Sequence, residues 1–158
     1  MKIVVSPNPY RDKQFKNARQ ACSILREAGA EVALCLPFDV DKTFEIPHDL
    51  RFQDIQKEIK TADMLICFGG DGTILHSSKI ATEHNLPILG VNIGTMGFIA
   101  ELEAGEIELL RKIPKGDYTV EERTMLDVSV GNGRQTLFHE TALNDAVITK
   151  GAIARVVQ

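Results

Sequence analysis

The sequence predicts an α/β fold: a doubly wound, mostly parallel sheet over residues 1–120, followed by an antiparallel β-domain over 121–158. Three observations predict it. Short β-branched runs alternate with helix-period segments through the first two thirds of the chain, the pattern of β–α–β units with right-handed crossovers. Met64 to Phe68 is a continuous apolar run, as a strand covered on both faces should be. After Tyr118 the pattern turns to two-residue alternation around Gly131-Asn132-Gly133, and Asn-Gly suits the positive φ of a hairpin turn.

Taken in order, Lys2–Ser6 is a strand ended by the turn Pro7-Asn8-Pro9. Phe15–Ala28 is a helix, because Ala18, Ala21, Cys22, Leu25 and Ala28 recur at three-to-four spacing, and Gly29 stops it. Glu31–Leu36 is the second strand, and the acidic stretch 37–49 is a surface loop. Phe52–Ile59 is a short helix with Phe52, Ile55 and Ile59 on one face. The strand Met64–Phe68 runs into Gly69-Gly70-Asp71-Gly72-Thr73, a helix follows over Thr73–His84, and Pro87–Val91 returns as a strand. Met125–Val130, Gln135–Thr141, Ala146–Thr149 and Ile153–Val157 are the β-domain strands, with Leu126, Val128 and Val130 facing one way.

Composition limits the function classes. At 44% hydrophobic and 25% charged, the chain is neither disordered nor fibrous. A net charge of −4 argues against nucleic acid or an acidic membrane as partner. It leaves phosphate ligands open, since backbone amides hold phosphate without net charge. Cys22, Cys35 and Cys67 are dispersed, the pattern of reduced thiols buried as small apolar residues, and they form no metal motif. The N-terminal MKIVVSPNPY is too poor in apolar residues for a signal peptide, and no apolar run approaches membrane-spanning length. These readings together predict a cytoplasmic protein.

Chemistry concentrates at three places. In Gly69-Gly70-Asp71-Gly72-Thr73 the glycines admit close approach of a ligand to the backbone. The helix that follows offers unpaired amides to an anion. A carboxylate there would repel phosphate, so Asp71 makes more sense as the group that takes a proton from a hydroxyl being phosphorylated. The plainer alternative is that Asp71 only caps the helix. The Walker pattern is absent because no Lys follows, and Gly90, Gly94 and Gly97 do not make G-x-G-x-x-G. The second place, Gly90 to Phe98 with Asn92, follows another strand, so two glycine loops meet at one sheet end. Phe98 either stacks on a ring or packs in the core. The third is Asn144-Asp145, able to hydrogen-bond a ribose or to cap a turn.

GGDGT at 69–73, GVNIGTMGFIAEL at 90–102 and LNDAVI at 143–148 resemble, in order and spacing, the motifs of the NAD kinase family. GGDGT alone is shared with diacylglycerol and sphingosine kinases and, loosely, with phosphofructokinases; the second motif is similar to NAD kinases specifically. The resemblance implies an NAD kinase/diacylglycerol kinase-like fold and phosphorylation of the 2′-hydroxyl of the adenosine ribose of NAD, giving NADP. The donor would be ATP with Mg²⁺ or another divalent cation, or polyphosphate, the metal arriving with the donor phosphates and needing few protein ligands.

By the same resemblance Asp71 is the proton acceptor and Gly72 a backbone contact to NAD. His76 stands near the phosphates, Asn92 and Phe98 line the pocket, Asn144 and Asp145 hold ribose hydroxyls, and Arg155 contacts the substrate. It also implies a homo-oligomer, dimer or tetramer. In the family the β-domain continues through a Thr-Gly-Ser-Thr-Ala-Tyr-type segment not found here. Residues 121–158 are therefore expected to be the beginning of a truncated β-domain, with exposed strand edges near the end, and the 158-residue chain to be inactive alone. Competing expectations are a lipid or sugar kinase of the GGDGT group, and a nucleotide-binding or assembly module without turnover.

Overall fold

A computed structural model of the chain describes residues 1–94 and 97–148. Two compact units divide between Val120 and Glu121. The first is built on five parallel strands, β1 (Lys2–Pro7), β2 (Glu31–Leu34), β3 (Met64–Gly69), β4 (Ile88–Asn92) and β5 (Leu102–Glu103), in the order β2-β1-β3-β4-β5. The chain steps outward from β1 to β2, then crosses back to place β3 on the other side of β1. Such a reversal opens a crevice beyond the carboxyl ends of the two strands, where doubly wound sheets bind ligands. Pairing of Pro7 with Phe68 and of Gly69 with Asn92 brings the loops after β1, β3 and β4 out side by side.

Both faces of the sheet are covered, which explains the continuous apolar run of β3, buried at all six positions. Ile3, Val5, Ile66, Phe68 and Val91 face α1 (Lys16–Glu27) and a 3₁₀ segment over Ala104–Lys115. Their alternates Val4 and Leu65 face α2 (Ile55–Glu58), the 3₁₀ turn Ile59–Thr61 and α3 (Asp71–Glu83).

Local chemistry moves several boundaries. α1 starts at Lys16 because the buried Asp12 carboxylate accepts the N–H groups of Asn17 and Ala18, at 3.0 and 2.9 Å. Gln14 and Phe15 then take left-handed φ of 54° and 55°, turning the Phe15 ring into the core against Phe52 at 4.9 Å between centroids. α2 is shorter than the sequence suggests, since Asp54 caps Gln56 and Gln53 bridges to Cys35 instead. α3 begins at Asp71 rather than Thr73.

The segment 104–115 has no counterpart in the sequence reading. Its buried residues Ile107, Leu110 and Ile113 are spaced by three, the period at which 3₁₀ side chains eclipse. A Glu103–Glu106 capping box opens it and Gly116, at φ 74°, closes it.

The second unit holds the hairpin of β6 (Leu126–Gly131) and β7 (Thr136–Ala142). Leu126, Val128 and Val130 lie opposite Ala142, Glu140 and Phe138, so they share a face as expected. The turn forms at the expected Asn132, whose side-chain oxygen accepts the N–H groups of Arg134 and Gln135, with Gly133 at φ 81°. The strand expected at 146–149 does not form over 146–148: those residues pair with nothing in a ladder and lie exposed. A strand needs a neighbour for its N–H and C=O groups, and the hairpin does not supply one there. Thr149, the expected strand Ile153–Val157 and Arg155 lie outside the described residues.

Cys22, Cys35 and Cys67 are free and buried, as expected. Burial pushes their thiols up to about 11, about 12 and about 12 respectively, with Glu58 and Asp54 adding to the rise at Cys35. All three should resist a disulfide reagent such as Ellman's at pH 8 in the native chain and react at once in 6 M guanidinium. Fast labelling of the native chain would contradict this burial. A raised thiol favours the folded state below the unfolded thiol's range, so the contribution is lost as pH rises from about 9 toward 12.

Candidate functional site

The site is assembled from the three loops at the switch point. Gly70 is the last non-helical residue before α3, at φ −108° and ψ −173°. Asp71 and Gly72 therefore occupy the first turn of α3, among its unpaired amides. The Asp71 side chain is half-buried and does not close its own helix as a cap. Its Oδ1 accepts the N–H groups of Phe98 and Ile99, each at 3.2 Å, and its Oδ2 accepts the Phe98 N–H at 3.1 Å. The carboxylate thus joins the two glycine loops.

The glycines of the first loop divide into two kinds. A Cβ on Gly69 would lie 2.2 Å from Thr73 Oγ1, so Gly69 serves the packing of α3 against β3. Around a Cβ on Gly70 or Gly72 there is nothing within 4 Å, and neither has a positive φ. Within this chain, neither packing nor backbone conformation demands glycine at those two positions.

The second loop is tied at both ends. The Ile93 N–H donates to the Gly69 carbonyl at 3.0 Å and the Glu101 N–H to the Gly90 carbonyl at 3.1 Å. Asn92 is buried at the end of β4. Its amide donates to Glu103 at 3.0 and 3.1 Å, and its oxygen accepts the Gly94 N–H at 3.1 Å. Phe98 is 89% exposed, which excludes the core-packing alternative.

His76 lies one and a half turns further along α3, exposed, with Nε2 3.1 Å from the Pro37 carbonyl and its ring edge-on to Phe38. Its contacts join α3 to the loop after β2. Asn144 and Asp145 belong to the second unit, exposed just beyond β7.

Two residues of the turn after β1 carry no signal in the sequence that would place them at the site. Asn8 Nδ2 donates to Thr73 Oγ1 at 2.9 Å, and Arg11 Nη1 lies 3.6 Å from where a Cβ on Gly94 would be. Only the strand order brings this turn to the site.

A family model described as the ATP-NAD kinase N-terminal domain matches residues 2–118. The chain belongs to this family. Among similar proteins, the NAD kinase of Caldanaerobacter subterraneus subsp. tengcongensis is 35% identical over 158 residues, covering 99% of this chain and 54% of that protein. The NAD kinase of Acetivibrio thermocellus is 30% identical over 161 residues, covering 99% and 53%. The chain thus spans about half the length of these curated relatives. The crystal structure of yeast NADH kinase complexed with NADH superposes with a TM-score of 0.67 at 20% identity, over 91% of this chain and 47% of that one. That likeness speaks to the fold. Among the described residues no helix is long and apolar enough to cross a membrane, and no three His, Cys, Asp or Glu side chains gather as a metal site.

Proposed function

We propose that the protein phosphorylates the 2′-hydroxyl of the adenosine ribose of NAD, with ATP or polyphosphate as donor. Family membership supports this reading over a lipid or sugar kinase. The observation that carries it is the pair Gly70 and Gly72: glycines with open space where a side chain would be, flanking a half-buried carboxylate in the first turn of a helix. Glycines that the fold itself does not need suit close approach of a ligand to the backbone.

In this reading the hydroxyl's proton passes to the Asp71 carboxylate. The ribose oxygen forms its bond to the terminal phosphorus of the donor, and the bond to the leaving phosphate breaks, its electron pair departing with that group. The amides of Asp71 and Gly72, in the first turn of α3, would face the anion, and exposed Phe98 would offer a ring face to the nucleotide. Asn144 and Asp145 would hold ribose hydroxyls, His76 and Arg155 would serve phosphates and substrate, and Asn92 would shape the second loop. A divalent cation would be held by the donor phosphates, supplying charge neutralisation there. On the family resemblance the reading extends to a cytoplasmic homo-oligomer.

The test, in a chain that carries the rest of the β-domain, is NADP formation from NAD and ATP, compared with diacylglycerol and fructose phosphate as alternative acceptors. Phosphorylation of either alternative in place of NAD would overturn the reading. Gly72→Ala sharpens it. Replacing a helical glycine by alanine should leave stability unchanged or raise it by up to about 1 kcal/mol, while turnover falls about tenfold because the new methyl fills ligand space, an effect of roughly 1.4 kcal/mol. Unchanged turnover would remove Gly72 from the site.

A further inference from the structure

We infer that the second glycine loop aims the Asp71 carboxylate, and that Gly97 is the residue which permits it; this rests on the proposed kinase reading. The described ends of the loop are held by hydrogen bonds from Ile93 to Gly69, Gly94 to Asn92, Asn92 to Glu103 and Glu101 to Gly90. The Asp71 side chain can rotate about its own single bonds. The Phe98 and Ile99 amides grip it through three contacts, two on Oδ1 and one on Oδ2. A carboxylate has about four acceptor positions. Oδ1 therefore has both of its positions taken by amides, and Oδ2 keeps one to receive a hydroxyl proton.

Gly97 stands directly before the gripping amides. A Cβ there would lie 2.7 Å from Asp71 Oδ1 and 3.8 Å from the nearest Asn92 atom. The clash falls on the tip of a rotatable side chain, so an alanine at 97 turns the carboxylate out of the grip and leaves the packing of the sheet alone. Gly97 is thus a positioning residue acting through Asp71.

The experiment measures amide hydrogen exchange at Phe98 and Ile99 by NMR in the wild type, Asp71→Ala and Gly97→Ala, with NADP formation followed for the same variants in a chain that carries the rest of the β-domain. Hydrogen bonds to a carboxylate should slow exchange at both amides about tenfold or more relative to Asp71→Ala. Gly97→Ala should lose that protection, melt within a few degrees of wild type, and lower kcat at least about tenfold with KM for NAD within about threefold. Equal exchange at Phe98 and Ile99 in wild type and Asp71→Ala overturns the inference. So does full protection and full turnover in Gly97→Ala. If protection behaves as stated but a wild type carrying the rest of the β-domain makes no NADP, the kinase reading fails and the grip on Asp71 stands.

Discussion

In a chain that carries the rest of the β-domain, Asp71→Asn lowers the rate of NADP formation at least about a hundredfold, while KM for NAD changes little. A hundredfold corresponds to about 2.7 kcal/mol of transition-state stabilisation, within the range of general-base catalysis. The substitution isolates the chemistry because asparagine has almost the same shape as aspartate. Its one carbonyl oxygen can still accept from the Phe98 or Ile99 amide, so the joint between the loops is weakened but not emptied. What it cannot do is take up a proton. A loss confined to kcat marks a group whose interaction develops only in the transition state. Steady-state kinetics with circular dichroism as a folding control checks it. Near-normal turnover in a folded variant would strip Asp71 of the role of proton acceptor.

Gly69→Ala should destabilise the first unit by about 1–3 kcal/mol, the usual cost of overpacking. The new methyl would lie 2.2, 2.5 and 2.8 Å from Thr73 Oγ1, Cβ and Cγ2. Rotating Thr73 relieves the outer atoms, but its Cβ is fixed to the α3 backbone. The helix must therefore lift from the sheet, or β3 must shift. Either movement also strains the 2.9 Å bond from Asn8 to Thr73. Urea denaturation should show a lower midpoint at an unchanged slope. Adding Thr73→Ala should not restore stability, since the 2.5 Å contact involves Cβ, whereas Thr73→Gly should restore part of it. An unaltered midpoint in Gly69→Ala would mean that α3 does not sit this close to β3.

The sequence alone determined what depends on neighbours along the chain. The apolar periods of α1 and β3, the Asn132 turn and the position of a carboxylate between glycines are local properties, readable from residue spacing. Asn8 was legible only as a turn, and 104–115 was missed because a period of three matches neither helix nor strand templates. The absence of a strand over 146–148 is likewise a matter of pairing: alternation suggests a strand, but only an edge with open N–H and C=O groups can complete one. Tertiary structure decided everything that joins residues far apart in number. It set the reversal of strand order between β1 and β3, the meeting of Asn8 with Thr73, and the grip of Phe98 and Ile99 on Asp71. The reason is physical: these contacts join loops from different strands, and the alignment of those strands follows from burying both faces of one sheet.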